Sequence, residues 1–366
     1  MDGERVCVVG VGAFVPTRTI DTDRIARAIP GWPAERIVEK TGIRERRFLW
    51  DFDEKTGRAI PPPPDANFYP ANNTDMCEAA LWRALAMSKL PATDLDAIFV
   101  VTCTPDELNF SHDAMELHRR LGCREDAFAF VVDDGCGGTP YLIDMARKMI
   151  EGGKFRSIAV VASAFTSSLI DRDVYTSELE LEGGKKINAF LSMYVFGDGA
   201  GAVILRAAEG PGDDGILRSV AGTAHSDLVI RRGGGSTRLP YHASCRPVDH
   251  AFVVDGLKVA QSYPTYMKRC MTAALEGHEA LAPQIKRYYF HQPNKRVMDH
   301  FVARSGLPPE KVACHVDTRG NTSAAGMLIL LAEDVERGVV KMGSGDLVMI
   351  AAVGANVHYG GQLIRL

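Results

Sequence analysis

The chain has 366 residues, of which 46% are hydrophobic and 24% are charged, a composition typical of a globular protein with one large core or two domains. Its formal net charge of −4 provides no basic field for nucleic acid. No apolar run is long enough to span a membrane, and the first residues lack the layout of a signal peptide. We therefore expect a cytoplasmic protein that binds neither nucleic acid nor membrane.

Eight cysteines are spread singly along the chain. They form no CxxC pair, and none has the spacing to histidine that is typical of zinc ligands. We therefore expect reduced thiols and no metal site.

The first predicted strand covers residues 6–9 and runs into Gly10-Val11-Gly12. This start of a dinucleotide-binding loop lacks its third glycine, and Pro16 soon breaks any helix, so nicotinamide binding is disfavoured. Further along, residues 36–47 form a dense basic segment. It is either a solvated charged turn or a grip on an anionic group, such as the phosphate of a phosphopantetheine carrier.

A buried strand over residues 127–132 leads into Asp133-Asp134-Gly135-Cys136-Gly137-Gly138, and a helix is predicted over 141–150. Cys136 therefore lies where a strand turns sharply into a helix. Backbone N–H groups and the positive end of the helix dipole would lower the pKa of its thiol and favour the reactive thiolate. The alternative is a buried and inert structural cysteine.

The second half of the chain repeats the plan of the first. In each half a strand ends in a short polar motif with proline, and a glycine-led segment then starts a long helix. This duplication of βα units predicts two stacked αβα halves, residues 1–210 and 211–366, with insertions near 50–72 and 169–192. It would bring Cys136, His291 and Asn321 to one cavity at the ends of strands.

Such a cavity suits acyl chemistry. A thiolate at Cys136 can accept an acyl group from a thioester, while the N–H of Cys136 and one from Gly354 or Ala355 bind the oxyanion. His291 and Asn321 could hold a second thioester as its enolate. In the structural alternatives His291 is a core residue and Asn321 caps a helix. A papain-like protease also uses Cys, His and Asn, but leaves the duplication unexplained.

Six motifs occur in a specific order: residues 41–46, the Cys136 turn, residues 196–202, 291–294, 320–325 and 354–360. With them the chain resembles the thiolase superfamily, and within it the β-ketoacyl-ACP synthase III family, from about residue 6 to 366. The resemblance implies an α/β, five-layered αβαβα fold and a homodimer without a cofactor. It also implies Cys136 as the acylated nucleophile, with His291 and Asn321 supporting the enolate.

The chain departs from the family pattern at several positions. Asp133 and Asp134 replace small apolar residues, and we expect at least one to point away or be hydrogen-bonded, because carboxylates facing a thiolate raise its pKa. Arg36 stands where fatty-acid-starting members have a tryptophan that stacks on coenzyme A. Delivery by acyl carrier protein is therefore favoured, and the candidate contacts with the carrier or its arm are Arg36, Lys40, Arg296 and Asn294. Asn356 replaces a glycine but tolerates a left-handed backbone.

These departures favour a stand-alone ketosynthase of secondary metabolism, for example in polyketide or antibiotic biosynthesis. It would join two acyl thioesters in a Claisen-type condensation, in some cases closing an α-pyrone. Some such enzymes use a carboxylate of the partner subunit as a base, and Glu107 is the candidate here; a solvated loop glutamate is the alternative. Other readings are an acyltransferase making an ester or amide, the synthase III of fatty-acid initiation, and a non-catalytic partner subunit.

Overall fold

The structure is a computed structural model, and it describes residues 5–63, 68–181, 183–210, 212 and 214–366. The last residue of the four-proline run at 61–64 lies outside the described residues. So do residue 182 of the predicted insertion and residues 211 and 213 of the predicted boundary. No helix in the described part of the chain is both long and apolar enough to cross a bilayer.

The described residues form strands with the following bounds: β1 Val6–Phe14, β2 Thr19–Asp21, β3 Glu45–Arg47, β4 Asp51–Asp53, β5 Arg58–Ile60, β6 Ala97–Val101, β7 Phe128–Val132, β8 Ser157–Ala164, β9 Glu178–Glu180, β10 Lys186–Asn188, β11 Gly199–Ala207, β12 Gly215–Ser226, β13 Val229–Ile230, β14 Val253–Val254, β15 Arg287–Phe290, β16 Leu347–Val353 and β17 Asn356–Arg365.

They also form α-helices with the following bounds: α1 Thr22–Ala28, α2 Ala34–Thr41, α3 Asn73–Ser88, α4 His112–Arg120, α5 Gly138–Glu151, α6 Arg172–Tyr175, α7 Phe190–Val195, α8 Gly256–Leu275, α9 Lys295–Ser305, α10 Val316–Arg319 and α11 Gly326–Glu336.

Two sheets organise the molecule. The first has the strand order β1-β11-β8-β6-β7, in which β8, β6 and β7 are parallel and β1 and β11 complete it in antiparallel pairing. The second has the order β12-β17-β16-β15, with β15 and β16 parallel. The first sheet is built from residues 6–207 and the second from residues 215–365, one on each side of the division that we predict near residue 210.

Helices cover both faces of each sheet. Apolar residues of α3 and α4 pack on the outer face of the first sheet, and those of α8 and α9 pack on the outer face of the second. α5 and α11 lie between the two sheets in one continuous buried core. The predicted five-layered αβαβα architecture is confirmed, and the apolar burial on four sheet faces is what holds it together.

The glycines near the N-terminus do not form a turn, because β1 continues through them to Phe14. A methyl group on Gly10 would overlap the carbonyl oxygen of Ala84, and one on Gly12 that of Ala80. The two glycines therefore let α3 pack directly on the backbone of β1. This accounts for the part of a dinucleotide motif that the sequence carries.

The predicted insertion at 169–192 is more ordered than its weak pattern suggests. It contains α6, the β9–β10 hairpin and the first half of α7, and its apolar residues share a separate core with α1. α7 continues to Val195, so that Leu191 and Val195 line the cavity described next. The insertion therefore supplies part of the site wall.

Candidate active site

Cys136, His291 and Asn321 line one cavity. Cys136 lies between β7 and α5, His291 directly follows β15, and Asn321 precedes α11. Most of the remaining wall is apolar, and its residues include Leu191, Val195, Phe196, Leu228, Val229, Val254, Val259 and Val353. The structure thus brings together the three side chains predicted from the duplication, in surroundings that suit an acyl chain.

The Cys136 thiol is buried, and its Sγ atom lies 3.6 Å from the Ser323 hydroxyl oxygen. The pKa of this thiol is raised to about 11, chiefly by burial and to a smaller extent by the Asp134 carboxylate. Hydrogen bonds from Ser323, Asn321 and the Cys136 backbone lower the pKa but do not offset burial. The prediction of a lowered thiol pKa is therefore wrong. Loss of solvent around the buried thiol raises its pKa by more than the hydrogen bonds at the turn lower it.

The two aspartates before the cysteine lie in different environments. Asp133 is exposed, whereas Asp134 is buried and its Oδ1 atom lies 2.5 Å from Nδ1 of His358. The expectation that at least one is hydrogen-bonded is confirmed. Burial raises the pKa of Asp134, and its hydrogen bond with His358 lowers it.

Hydrogen bonds of its backbone fix the position of His291, and burial sets the protonation state of its side chain. Its N–H donates to the Ala351 carbonyl at 3.0 Å, and its carbonyl accepts a hydrogen bond of 2.5 Å from the Tyr263 hydroxyl. Burial lowers the pKa of the imidazole to about 4, although a hydrogen bond to the Ser323 backbone raises it. His291 is thus neutral near pH 7, and its Nδ1 atom has no hydrogen-bond partner among the described residues.

The Asn321 side chain has a fixed orientation. Its Oδ1 atom accepts a hydrogen bond of 2.8 Å from the Ser323 N–H, which leaves Nδ2 as the group that faces the cavity and the Pro293 carbonyl at 3.4 Å. The backbone of Asn321 is tied to α7 and the residues after it, with its N–H donating to Val195 and its carbonyl accepting from Gly197. The cavity therefore presents a neutral imidazole and an amide N–H donor to whatever binds beside Cys136.

The candidate oxyanion donors are only partly available. The Gly354 N–H donates to the His358 carbonyl at 2.7 Å, so it is not free for an oxyanion. Gly354 itself packs on the peptide between Cys136 and Gly137, where a methyl group would overlap the Gly137 nitrogen. The next residue, Ala355, lines the cavity, and together with Cys136 it remains the candidate pair of N–H donors. Asn356 has φ 80°, the left-handed backbone expected of it.

The candidate carrier contacts lie on and beside the surface where α2 meets α9. Asn294 lines the cavity and caps α9, with its side chain accepting a hydrogen bond from the Val297 N–H. Arg296 is exposed and donates to the Glu39 carbonyl, and Lys40 pairs with the Glu39 carboxylate at 2.8 Å. The Arg36 guanidinium lies 4.8 Å from the ring centre of Trp32.

The basic segment at 36–47 divides into two parts. Arg36, Lys40 and Arg44 are exposed, but Arg46 is fully buried and donates to the carbonyl of Tyr194 and the hydroxyl of Thr22. Burial lowers the pKa of Arg46 to about 10. Neither a solvated turn nor an anion grip describes Arg46, which instead joins three segments of the chain.

Glu107 lies on the loop after β6 and is not among the residues that line the cavity of its own chain. Its side chain is 69% exposed and lies 3.5 Å from His112. The same loop exposes Leu108 and Phe110, the latter at 96%.

Sequence reasoning missed three residues of the site. Ser323 contacts the Cys136 thiol, and its position two residues after Asn321 was a usable signal. Cys103, two residues after β6, lies beside the Cys136 segment, since a methyl group on Gly135 would be 3.6 Å from its sulfur. His358 pairs with Asp134 across 224 residues of chain, and nothing local to either residue indicates this.

Comparison with known proteins agrees with this geometry. Residues 130–224 match the family model of 3-oxoacyl-[acyl-carrier-protein] synthase III, and residues 275–366 match the model of its C-terminal part. A β-ketoacyl-[acyl-carrier-protein] synthase III from Rhodospirillum centenum is 30% identical over 365 residues, or 99% of both chains.

Solved structures show the same fold. A β-ketoacyl-[acyl-carrier-protein] synthase III from Thermus thermophilus is 25% identical, with a TM-score of 0.76 and 98% of each chain covered. A Xanthomonas campestris OleA variant with bound lauric acid and lauroyl-CoA is 17% identical, with a TM-score of 0.73 and 99% of each chain covered.

The fold and the matched regions define a condensing acyltransferase with the thiolase fold. Within that class, the chain belongs to the 3-oxoacyl-[acyl-carrier-protein] synthase III family.

Proposed function

We propose that the protein is a stand-alone ketosynthase that accepts an acyl group on Cys136 and condenses it with a second acyl thioester to form a carbon–carbon bond. The observation that carries this proposal is that Cys136, His291 and Asn321 line the same apolar cavity. Such a cavity accommodates an acyl chain and excludes water from a reactive thioester.

The first half-reaction is transfer of the acyl group to sulfur. The Cys136 thiol loses its proton and attacks the thioester carbonyl, and the carrier or coenzyme A thiol leaves with a proton. The negative oxygen of the intermediate is stabilised by the backbone N–H groups of Cys136 and Ala355. Ser323 and Asn321 donate hydrogen bonds to the sulfur as its charge develops.

The second half-reaction joins two carbon chains. The second thioester becomes an enolate when a base takes its α-proton or when an α-carboxylate leaves as carbon dioxide. Its carbonyl oxygen lies between His291 and the Nδ2 group of Asn321, which stabilise this enolate. The enolate carbon attacks the acyl carbonyl, and the Cys136 sulfur departs. This chemistry needs only side chains, backbone and the two thioesters, so we propose that it requires neither a metal nor a prosthetic group.

We propose that the carrier of the acyl group is an acyl carrier protein. Asn294, at the first turn of α9, links the cavity to the exposed basic residues Lys40 and Arg296. A phosphopantetheine phosphate at this surface would face two cations, and its arm would pass Asn294 towards Cys136. The Arg36 guanidinium lies over the Trp32 ring, and Trp32 also packs on Phe190. The Trp32 ring is therefore already in contact with other side chains of the protein.

We propose that the active unit is a cytoplasmic homodimer and that Glu107 acts in the partner's site as the base for the second substrate. β7 lies at the edge of the first sheet, and its residues are only partly buried. Pairing of two β7 edges would cover them and carry the exposed loop of Glu107 towards the other subunit.

The departures from the family pattern support a role in secondary metabolism, such as polyketide or antibiotic biosynthesis, with an α-pyrone as one product class. A second candidate is the β-ketoacyl-ACP synthase III reaction of fatty-acid initiation, favoured by relatives of that name at 30–31% identity over the full length. The acyl group that loads fastest separates the two, because fatty-acid initiation starts from acetyl-coenzyme A.

The test of the condensation step is the Asn321→Asp variant. This change keeps an oxygen that accepts the Ser323 N–H bond and removes the Nδ2 donor. The new carboxylate also disfavours the Cys136 thiolate, so we expect acylation to slow as well. Formation of the new carbon–carbon bond from protein already acylated on Cys136 should fall by about 100-fold or more, the typical effect of losing one such donor. The measurements are the mass of the acylated protein and chromatography of the product. Unchanged condensation in a folded Asn321→Asp protein would contradict the proposal.

A further inference from the structure

Asp134 and His358 form a hydrogen-bonded pair beside the nucleophile. The Oδ1 atom of Asp134 lies 2.5 Å from Nδ1 of His358, and the Asp134 side chain is only 7% exposed. Asp134 precedes Cys136 by two residues, whereas His358 lies on β17, close to the segment that carries Gly354 and Ala355. The pair therefore joins two segments that both border the acyl site.

His358 contacts both segments at once. Its imidazole holds the Cys136 segment through Asp134, and its carbonyl accepts the Gly354 N–H at 2.7 Å. Gly137 packs so closely on His358 that a methyl group there would lie 2.7 Å from the His358 carbonyl oxygen. His358 thus links the two backbone segments with candidate oxyanion donors, in addition to the direct packing of Gly354 on the peptide between Cys136 and Gly137.

The charge of Asp134 works against the thiol. The titratable groups that face Cys136 are Asp134, Cys103 and His291, and Asp134 raises the thiol pKa through its negative charge. Asp133 acts on Asp134 from the same segment, and the Tyr141 ring lies 5.1 Å from the His358 ring. A buried carboxylate here makes the thiolate harder to form, so its contribution must come from what it holds in place.

We propose that His358 is a positioning residue that acts through Asp134 to set the distance between the Cys136 N–H and the Ala355 N–H. This inference rests on the proposed role of Cys136 as the acylated nucleophile. Loss of either partner lets the two segments separate, so that the oxyanion loses one donor. A displacement of about 1 Å is enough to cost a large factor in rate when donors must be aligned.

The experiment compares Asp134→Leu, whose side chain can form no hydrogen bond with His358, His358→Phe and the double variant with wild type. Two rates are measured in each: alkylation of Cys136 by iodoacetamide across pH 6–10, and acylation of Cys136 by an acyl thioester. His278→Phe, a histidine change on the loop after α8, is the matched control, and thermal unfolding checks that each variant is folded.

We expect Asp134→Leu to be alkylated faster than wild type, because a carboxylate near the thiol is gone, yet to be acylated about tenfold or more slowly, because an oxyanion donor is displaced. His358→Phe should be acylated equally slowly without faster alkylation. The double variant should be no slower than either single variant, as expected for two residues that act as one unit.

Acylation of both single variants at the wild-type rate would overturn the inference. So would a double variant whose loss equals the product of the two single losses, or an Asp134→Leu protein with both rates increased. Failure of the proposed function looks different: wild-type Cys136 would then react with iodoacetamide but accept no acyl group. In that outcome the alkylation profile still reports whether Asp134 and His358 act on the thiol, but the positioning role falls with the acyl-enzyme.

Discussion

At the residue scale, the chemistry depends on a thiol that burial keeps protonated near neutral pH. The pKa of Cys136 is raised to about 11, so the thiolate is a small fraction at pH 7. His291 is neutral at that pH because burial lowers its pKa to about 4. A neutral imidazole has one N–H donor and one acceptor nitrogen, and the N–H can donate a hydrogen bond to a developing enolate oxygen.

The first prediction concerns pH. Because the thiolate reacts and the thiol does not, alkylation of Cys136 by iodoacetamide should rise about tenfold for each pH unit between 7 and 10. The measurement is the rate of mass increase of the Cys136 peptide, with a small-molecule thiol in parallel as the reference for pH dependence. A plateau near pH 7 would show a lowered thiol pKa and contradict the assigned effect of burial.

The identity of the site residues could be predicted from the sequence, but their electrostatics could not. Cys136, His291 and Asn321 each stand at a junction between a strand and a helix, and such junctions are visible in the order of apolar runs and glycines. The sign of the thiol pKa shift depends on how far the cavity closes over Cys136, which involves α7 and the second half of the chain. The pairing of Asp134 with His358 likewise forms only when β17 lies beside α5.

At the scale of elements, the segment of Gly354 and Ala355 is positioned by close contact between backbones and not by side chains. Gly354 lies against the peptide between Cys136 and Gly137, leaving no room for a methyl group. This contact sets the separation of β16 from the start of α5, and with it the position of Ala355. The same principle explains Gly10 and Gly12, where α3 approaches β1.

The second prediction follows from that packing. Gly354→Ala should push the Ala355 segment away from Cys136 and reduce acylation by about tenfold or more through a misplaced oxyanion donor. The matched control is Gly235→Ala, since a methyl group there meets no atom within 4 Å. Equal acylation rates in the two folded variants would show that the Gly354 contact does not position a donor.

Most helices and strands of both sheets could be predicted, because their apolar runs are long and bounded by glycine, proline or charged residues. Two elements were harder. The sequence predicts that β1 ends before Gly10, since glycine in a sequence indicates a turn more readily than a close approach of a helix. It predicts no helix at the start of α7, because the neighbouring strands β9 and β10 are short and the apolar residues of α7 pack on α1, far away in sequence.

At the scale of the whole molecule, the two sheets and their helices create one cavity from both halves of the chain. The internal repeat predicts this architecture, because each αβα unit leaves one helix layer to be shared. In the proposed homodimer, Glu107 and the loop around it lie away from the cavity of their own subunit and contribute to the cavity of the partner subunit. The apolar pattern of the sequence reports contacts within one chain, so it does not predict where a partner subunit binds.

The third prediction uses subunit mixing. A Cys136→Ala protein and a Glu107→Gln protein should each be inactive in condensation. After co-refolding in equal amounts, about a quarter of wild-type activity should return, because half of the dimers are mixed and each contains one site with Cys136 and the partner subunit's Glu107. If Glu107→Gln is fully active alone, Glu107 is not the base; if mixing restores nothing, it does not act across the dimer.

The measurement that tests the central claim most directly is the site of acyl attachment. The protein is incubated with a panel of acyl-carrier and acyl-coenzyme A thioesters and digested with trypsin, and the peptides are analysed by mass spectrometry. Cys103 lies on a different tryptic peptide from Cys136 and serves as the internal control. We predict the added acyl mass on the Cys136 peptide alone, and neither adduct nor product with Cys136→Ala. An acyl group on another residue, or product formed by Cys136→Ala, would contradict the account.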